Sequence, residues 1–249
     1  MKKIWDPKSL VYILCHAVIF AIGIVLCTTA KVVLVAIGTS LIAAGIAGWV
    51  VFTYVFASQR VSESLEIVTD FGFIKAFEAR QVRIKPEYDR LLEKAHERID
   101  VIGFGLRALR EDYLPEMSTW KQKADVRMLL IDPEFPNVGS AYANQRDLEE
   151  GDHAGTITQQ VKKFVADTKA ITELVAPHSF EVRLFRCLPS VNIFRVDNEM
   201  FWGPYLIKQP SRNSPTFLVR RGVLFDRLLQ HFDRIWNDDA LSRPVPADW

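Results

Sequence analysis

Charge is almost absent from the start of the chain. Between Leu10 and Ala57 the only charged residue is Lys31. That excludes an ordinary soluble surface for this stretch. Leu10–Ala30 and Val32–Ala57 are each about twenty residues or more, and at roughly 1.5 Å per residue each spans the roughly 30 Å hydrocarbon core as a helix. In lipid the backbone must satisfy its own hydrogen bonds, so two helices joined by a tight turn are expected. Cysteine is scarce as well. Cys15 and Cys27 lie in the apolar run and Cys187 stands alone, which excludes a disulfide framework and a paired metal-ligand spacing and fits a reducing cytoplasm. An excess of either charge is also missing. The formal net charge is +1, and setting aside Lys2, Lys3, Lys8, Lys31 and Asp6 leaves 27 basic and 29 acidic residues. That balance excludes a nucleic-acid binder held by bulk charge. No metal and no cofactor are implied.

Orientation follows from the few basic residues at the flanks. Lys2, Lys3 and Lys8 precede the first span, Arg60 follows the second, and the turn at Thr29 to Lys31 offers only Lys31. The positive-inside rule then places both termini in the cytoplasm. A cleaved signal peptide would have a shorter apolar core with no second span directly behind it. Within the second span Ser40, Ala44 and Gly48 recur every four residues, with Ala43 and Ala47 beside them. Small residues at that spacing let helix backbones approach closely. The ridge either packs the second helix on the first or joins copies of the hairpin into a homo-oligomer. His16 sits within the first span, a turn or two from its cytoplasmic end, where a neutral interfacial histidine is the expectation and a pathway residue the alternative.

The remainder is long enough for one domain with its own core. The pattern divides the chain into two spans (1–57), a juxtamembrane stalk (58–81), an α/β domain (82–240) and a tail (241–249). Val61, Leu65 and Val68 have helical spacing, Pro86 opens a helix predicted over Glu87–Arg98, and Ile99–Phe104 reads as a buried strand. Leu106–Lys123 is predicted helical with a break near Pro115, and Asp125–Ile131 is a second strand. Glu134–His153 reads as a polar excursion without regular structure. Thr156–Val175 is helical. Phe180–Phe185, Val191–Val196, Met200–Ile207 and Pro215–Arg220 are strands, the middle pair joined by a tight hairpin at Asp197–Glu199. Gly222–Trp236 closes as an amphipathic helix. Strands alternating with helices, then a late hairpin, predict an α/β domain with a mixed sheet.

Two segments carry a resemblance. The order from the helix with Ala95 through Ile99-Asp-Val-Ile-Gly-Phe, a helix and Val126-Arg-Met-Leu-Leu-Ile-Asp-Pro is similar to the opening of a phospholipase-D-like lobe. Val191-Asn-Ile-Phe-Arg-Val-Asp-Asn with Trp202-Gly-Pro-Tyr resembles that family's catalytic hairpin. The likeness covers roughly residues 82–237. The family's signature is His-x-Lys-x4-Asp, in which the histidine attacks phosphorus and the lysine neutralises phosphate oxygens. Counting back from Asp197, the histidine position holds Ser190 and the lysine position Asn192, and no second such signature occurs in the chain. The resemblance therefore implies a phospholipase-D-like fold with a catalytically depleted pocket at Ser190, Asn192 and Asp197. Arg183, Arg186 and Arg195, with Lys208, are candidates for pairing with an anionic ligand there, or are solvent-facing strand residues. Gly103-x-Gly105 after a strand suits a phosphate or simply a tight turn.

A membrane hairpin with a cytoplasmic sensor-like domain is similar in layout to the two-transmembrane effectors of bacterial antiphage systems, including those of retrons. That layout implies an inner-membrane protein whose partners are the lipid bilayer, further copies of itself, and a regulatory protein or nucleoprotein complex from the same operon. Its expected work is disruption or depolarisation of the membrane. The alternatives are a membrane-tethered phosphodiesterase of the phospholipase-D-like class and a non-catalytic membrane scaffold.

Overall fold

The computed structural model describes residues 7–79 and 84–249. Two compact units make up the chain, Met1–Ile67 and Val68–Trp249. The N-terminal unit is an apolar helical hairpin. Helix α1 runs Pro7–Cys27 and helix α2 runs Val32–Asp70. The turn between them is closed by Thr28 N–H and Thr29 N–H donating to the carbonyls of Val25 and Leu26. Within α2, Val32–Val55 is long and apolar enough to cross a membrane, whereas Val11–Cys27 of α1 is a shorter apolar helix. The stalk predicted from Val61, Leu65 and Val68 is the uninterrupted continuation of α2 to Asp70.

Glycine sets how closely the two helices approach. A Cβ on Gly23 would stand 2.8 Å from the Gly38 carbonyl, and one on Gly45 would stand 2.9 Å from Phe20 Cβ. A Cβ on Gly48 would overlap the His16 ring. Backbones this close gain dispersion contacts that side chains would prevent, which is the main attraction available between helices in lipid.

The C-terminal unit is an α/β domain built on one eight-stranded mixed sheet. Its strands are β1 (Phe73–Phe77), β2 (Arg98–Gly103), β3 (Asp125–Ile131), β4 (Phe180–Phe185), β5 (Val191–Val196), β6 (Glu199–Pro204), β7 (Thr216–Arg220) and β8 (Ser242–Pro244). Their order is β1-β7-β6-β5-β2-β3-β4-β8. The pairs β2/β3 and β3/β4 are parallel, and all others are antiparallel. Crossovers between parallel strands carry helices: α4 (Arg107–Tyr113) and α5 (Met117–Lys123) between β2 and β3, then α6 (Tyr142–Glu150) and α7 (Thr156–Glu173) between β3 and β4. Helix α3 (Lys85–Lys94) precedes β2 and α8 (Val223–Asn237) follows β7.

The central strands carry near-continuous apolar runs because helices cover both faces. Val126, Met128, Leu129, Leu130 and Ile131 are all fully buried. On one face α3 packs Tyr88 against Phe194 and Phe201, with ring centroids 4.6 and 4.5 Å apart. On the other, α8 lays Phe232 and Trp236 beneath the Arg127 guanidinium. Buried charge there is paired. Asp100 Oδ1 accepts from Arg127 Nε at 2.6 Å, Asp100 Oδ2 accepts from Arg195 Nη1 at 2.8 Å, and Arg127 reaches Asp233 at 2.9 Å. Burial works against the Arg127 charge, and the two carboxylates override it, so its pKa is raised.

Four elements depart from the sequence expectation. Strand β1, inside the stretch read as stalk (58–81), pairs with β7 at the edge of the sheet. The helix predicted over Glu87–Arg98 ends at Lys94, and Arg98 already belongs to β2. The excursion at 134–153 contains helix α6. Its buried residues are Ala143, Arg146 and Asp147, so no apolar stripe announces it. Asp147 accepts from the backbone N–H of Gly155 and Ile157, capping the start of α7. The Pro-rich tail includes β8, which pairs with β4 through Arg183, Leu184 and Phe185.

Candidate functional site

Strand β5 carries the three positions of the depleted signature, and it separates them. Ser190 lies just before the strand, Asn192 within it, and Asp197 just after it. With about 3.3 Å of rise per residue, Ser190 and Asp197 stand on the order of 20 Å apart, at opposite ends of the sheet. The expectation of one pocket holding all three therefore needs correction in its geometry: strand extension keeps Asp197 away from the other two.

Asp197 occupies the two-residue hairpin loop in the left-handed region, φ 50°, which Asp tolerates better than most residues. Its carboxylate accepts from three consecutive backbone N–H groups, those of His96, Glu97 and Arg98, at 3.2, 2.9 and 2.8 Å. His96 Nδ1 lies 2.9 Å from Oδ2. Asp197 thus ties the β5–β6 hairpin to the entry of β2. Its work is structural.

At the other end Ser190 is exposed, and its carbonyl accepts from Tyr205 N–H at 3.2 Å. The Asn192 side chain is buried and donates Nδ2–H to the Gly203 carbonyl of the paired strand at 2.8 Å. Among the described residues neither Ser190 nor Asn192 bonds to a histidine, lysine or arginine. A serine without a base is a weak nucleophile, and an amide supplies no positive charge to a phosphoryl group. What surrounds Asn192 is neutral and polar. The hydroxyls of Ser214 and Thr216 are fully buried without a hydrogen-bond partner among the described residues. Thr216 Oγ1 and Asn192 Nδ2 both lie 3.4 Å from the position a Cβ on Gly203 would take.

A strap over residues 205–213 borders this end, and the sequence reading missed what holds it. Arg146, buried on α6, donates to the carbonyls of Leu206 and Gln209 and to Ser211 Oγ. Glu150 accepts from Ser211 N–H and Oγ–H. The Arg146 guanidinium also lies 5.4 Å from the Tyr205 ring centre, and Tyr205 meets Phe104 edge-on at 4.7 Å. The usable signal was Arg146 with Glu149 and Glu150, one helical turn apart.

The three arginines named as anion ligands do not converge. Arg195 is buried on Asp100 and the Asp197 carbonyl. Arg183 bonds Asp239 and Ser242, and Arg186 faces Asp132 at 3.4 Å. Two strands, β2 and β3, stand between β5 and β4. Gly103 and Gly105 answer to packing: a Cβ on either would meet Leu106 or Gln160 at 2.6 Å.

The hairpin divides its small residues in the same plain way. Gly38, Gly45 and Gly48 are buried in the seam with α1, whereas Ala36, Ser40, Ala43, Ala44 and Ala47 are exposed. The trio Ser40, Ala44 and Gly48 is therefore split between two faces. Gly48→Leu would break the hairpin itself, and Ser40→Leu or Ala44→Leu is the change that alters only the outer face.

No family model matches the chain, and no curated protein matches it. Among solved structures it is similar to TrmBL2, an archaeal chromatin protein, at 13% identity and TM-score 0.42, over 83% of this chain and 70% of that one. It is similar to phosphatidylserine synthase of Haemophilus influenzae Rd KW20 at 13% identity and TM-score 0.45, over 70% of this chain and 39% of that one. It is also similar to NucT from Helicobacter pylori at 9% identity and TM-score 0.39, over 69% and 98%. Scores below 0.5 leave the chemistry to be read from this chain's own residues.

Proposed function

We propose that this protein is an inner-membrane effector of bacterial antiphage defence, which depolarises the membrane when a partner from the same operon releases it. In this reading the α/β domain, phospholipase-D-like in element order, is a regulatory and binding module without chemistry of its own. Both termini are cytoplasmic and both apolar helices span the bilayer. The observation that carries the proposal is the division of small residues in α2. Glycines serve the seam, so the outer face at Ala36, Ser40, Ala43, Ala44 and Ala47 is free to meet another hairpin. Close approach along such a face associates helices where no hydrophobic drive exists between them. The Ser190 end of β5 supports the same reading, because among the described residues neither Ser190 nor Asn192 is paired with a general base.

Overexpression with a membrane-potential dye tests it. Wild type should depolarise cells, Ala44→Leu should abolish the signal, and Ser190→Ala and Asn192→Ala should leave it intact. Toxicity lost with Ser190→Ala while the membrane stays polarised would establish the phosphodiesterase instead. No toxicity from any form would establish a scaffold.

A further inference from the structure

His16 is the one histidine of the apolar hairpin, and its surroundings are unusual for a merely interfacial residue. Its Nδ1 lies 2.9 Å from the Tyr12 carbonyl. A carbonyl only accepts, so Nδ1 carries the proton and Nε2 is the bare nitrogen. The ring lies against Tyr12 with centroids 4.1 Å apart and planes tilted by 30°, and its other edge fills the notch that Gly48 leaves open. Tyr12 in turn stacks on Phe52 at 5.4 Å and its hydroxyl donates to the Gly48 carbonyl at 3.4 Å. Neutral imidazole is therefore the keystone of the α1–α2 seam at this level.

Among the described residues the groups facing it hold no counter-charge. From α1 come Tyr12 and the neighbouring Cys15; from α2 come Gly45, Gly48 and Phe52. Between Val32 and Val55 α2 has no acidic or basic residue at all. Among the described residues Nε2 makes no hydrogen bond, and the Gly48 carbonyl beside the ring already takes the Tyr12 hydroxyl. A proton added to Nε2 would thus place an unpaired charge and an unsatisfied donor between two apolar helices. Groups so placed are relieved by moving to water.

We propose that His16 is a proton-operated latch: neutral, it locks α1 against the Gly48 notch of α2, and protonated, it leaves the seam and separates the helices at that end. The substrate of this site is the proton itself. Under the effector reading above, on which the physiological use of the latch rests, opening at acidic pH would free the hairpin to rearrange with its neighbours.

The test uses the full chain in lipid nanodiscs, with Cys15, Cys27 and Cys187 replaced by serine and spin labels at Val18→Cys and Val50→Cys, both exposed positions. Lowering the pH from 8 to 5 should lengthen the interlabel distance by at least about 5 Å, about half the 8–10 Å axis separation of packed helices. His16→Phe should hold the short distance at every pH. The imidazole's own titration, followed by nitrogen-15 NMR on the otherwise unaltered chain, should share its midpoint with the distance change. An imidazole that titrates fully with no change of distance overturns the latch, and so does an equal lengthening in His16→Phe. Neither readout depends on depolarisation, so failure of the effector reading leaves this result separately legible.

Discussion

The buried charges of the α/β domain and the histidine of the apolar hairpin are partnered in opposite ways. In the domain, Asp100 is shared by Arg127 and Arg195, and the buried Lys121 donates to the carbonyls of Ile171, Thr172 and Leu174 at the end of α7. Asp197 is met by three backbone donors. In the hairpin, His16 has one carbonyl partner and a bare nitrogen against glycine. Fully satisfied networks hold one arrangement, whereas an unmatched titratable group lets an arrangement change with conditions. Under the latch proposed above, the difference separates a half built to stay from a half built to move.

The comparison can be broken at its strongest point first. Asp100→Ala leaves Arg195 buried without a carboxylate and Arg127 with only the partly exposed Asp233, and such losses cost about 3–5 kcal/mol. Urea unfolding should register that loss as a lower midpoint with an unchanged slope. Asp197→Ala removes the acceptor of three N–H groups and should cost roughly 2–3 kcal/mol. At about 2–4 °C per kcal/mol for a domain of this size, its melting temperature should fall by ~5–10 °C. In the phosphodiesterase alternative Asp197 would matter through catalysis. Here Asp197→Asn, which keeps an acceptor oxygen, should recover part of the stability, and no activity should be lost with it.

Smaller effects sharpen the contrast. Ser190→Ala should leave the melting temperature within experimental error, since the side chain is exposed and only its carbonyl is bonded. The smallest expected effect is on acid stability. Burial, with Arg234 adding repulsion, holds the His231 imidazole below its ordinary value of 6.5. The unfolded chain then binds that proton more readily than the folded one. Stability from this group is complete above about 6.5 and is lost as pH falls through the depressed folded value. His231→Gln should flatten that part of the profile in a thermal scan from pH 7 to pH 4, and a steeper dependence would contradict the assignment.

Much of the fold was legible because period and punctuation agreed. Asp125–Ile131 is bounded as its apolar run and following Asp-Pro predicted, and the turn at Asp197-Asn198 joins the strands as expected. Helix α6 was hidden because charged residues form its inner side, satisfied by partners sixty residues away in sequence. Strand β8 was hidden because three residues carry no period. At the depleted signature the residue types were readable and their separation was not. A linear spacing does not say that a strand will carry its two ends on the order of 20 Å apart. The small-residue ridge failed in a similar way. Every fourth residue drifts about 40° around a helix, so Ser40 and Gly48 end on different faces.

The central claim is that the outer face of α2 does the work and the folded domain controls it. Purified full-length protein in liposomes holding a potassium gradient tests this most directly. Wild type should collapse the gradient in the absence of any partner, Ala44→Leu should retain it, and Ser190→Ala should behave as wild type. A gradient that survives wild type, or that Ala44→Leu collapses just as fast, would contradict the account.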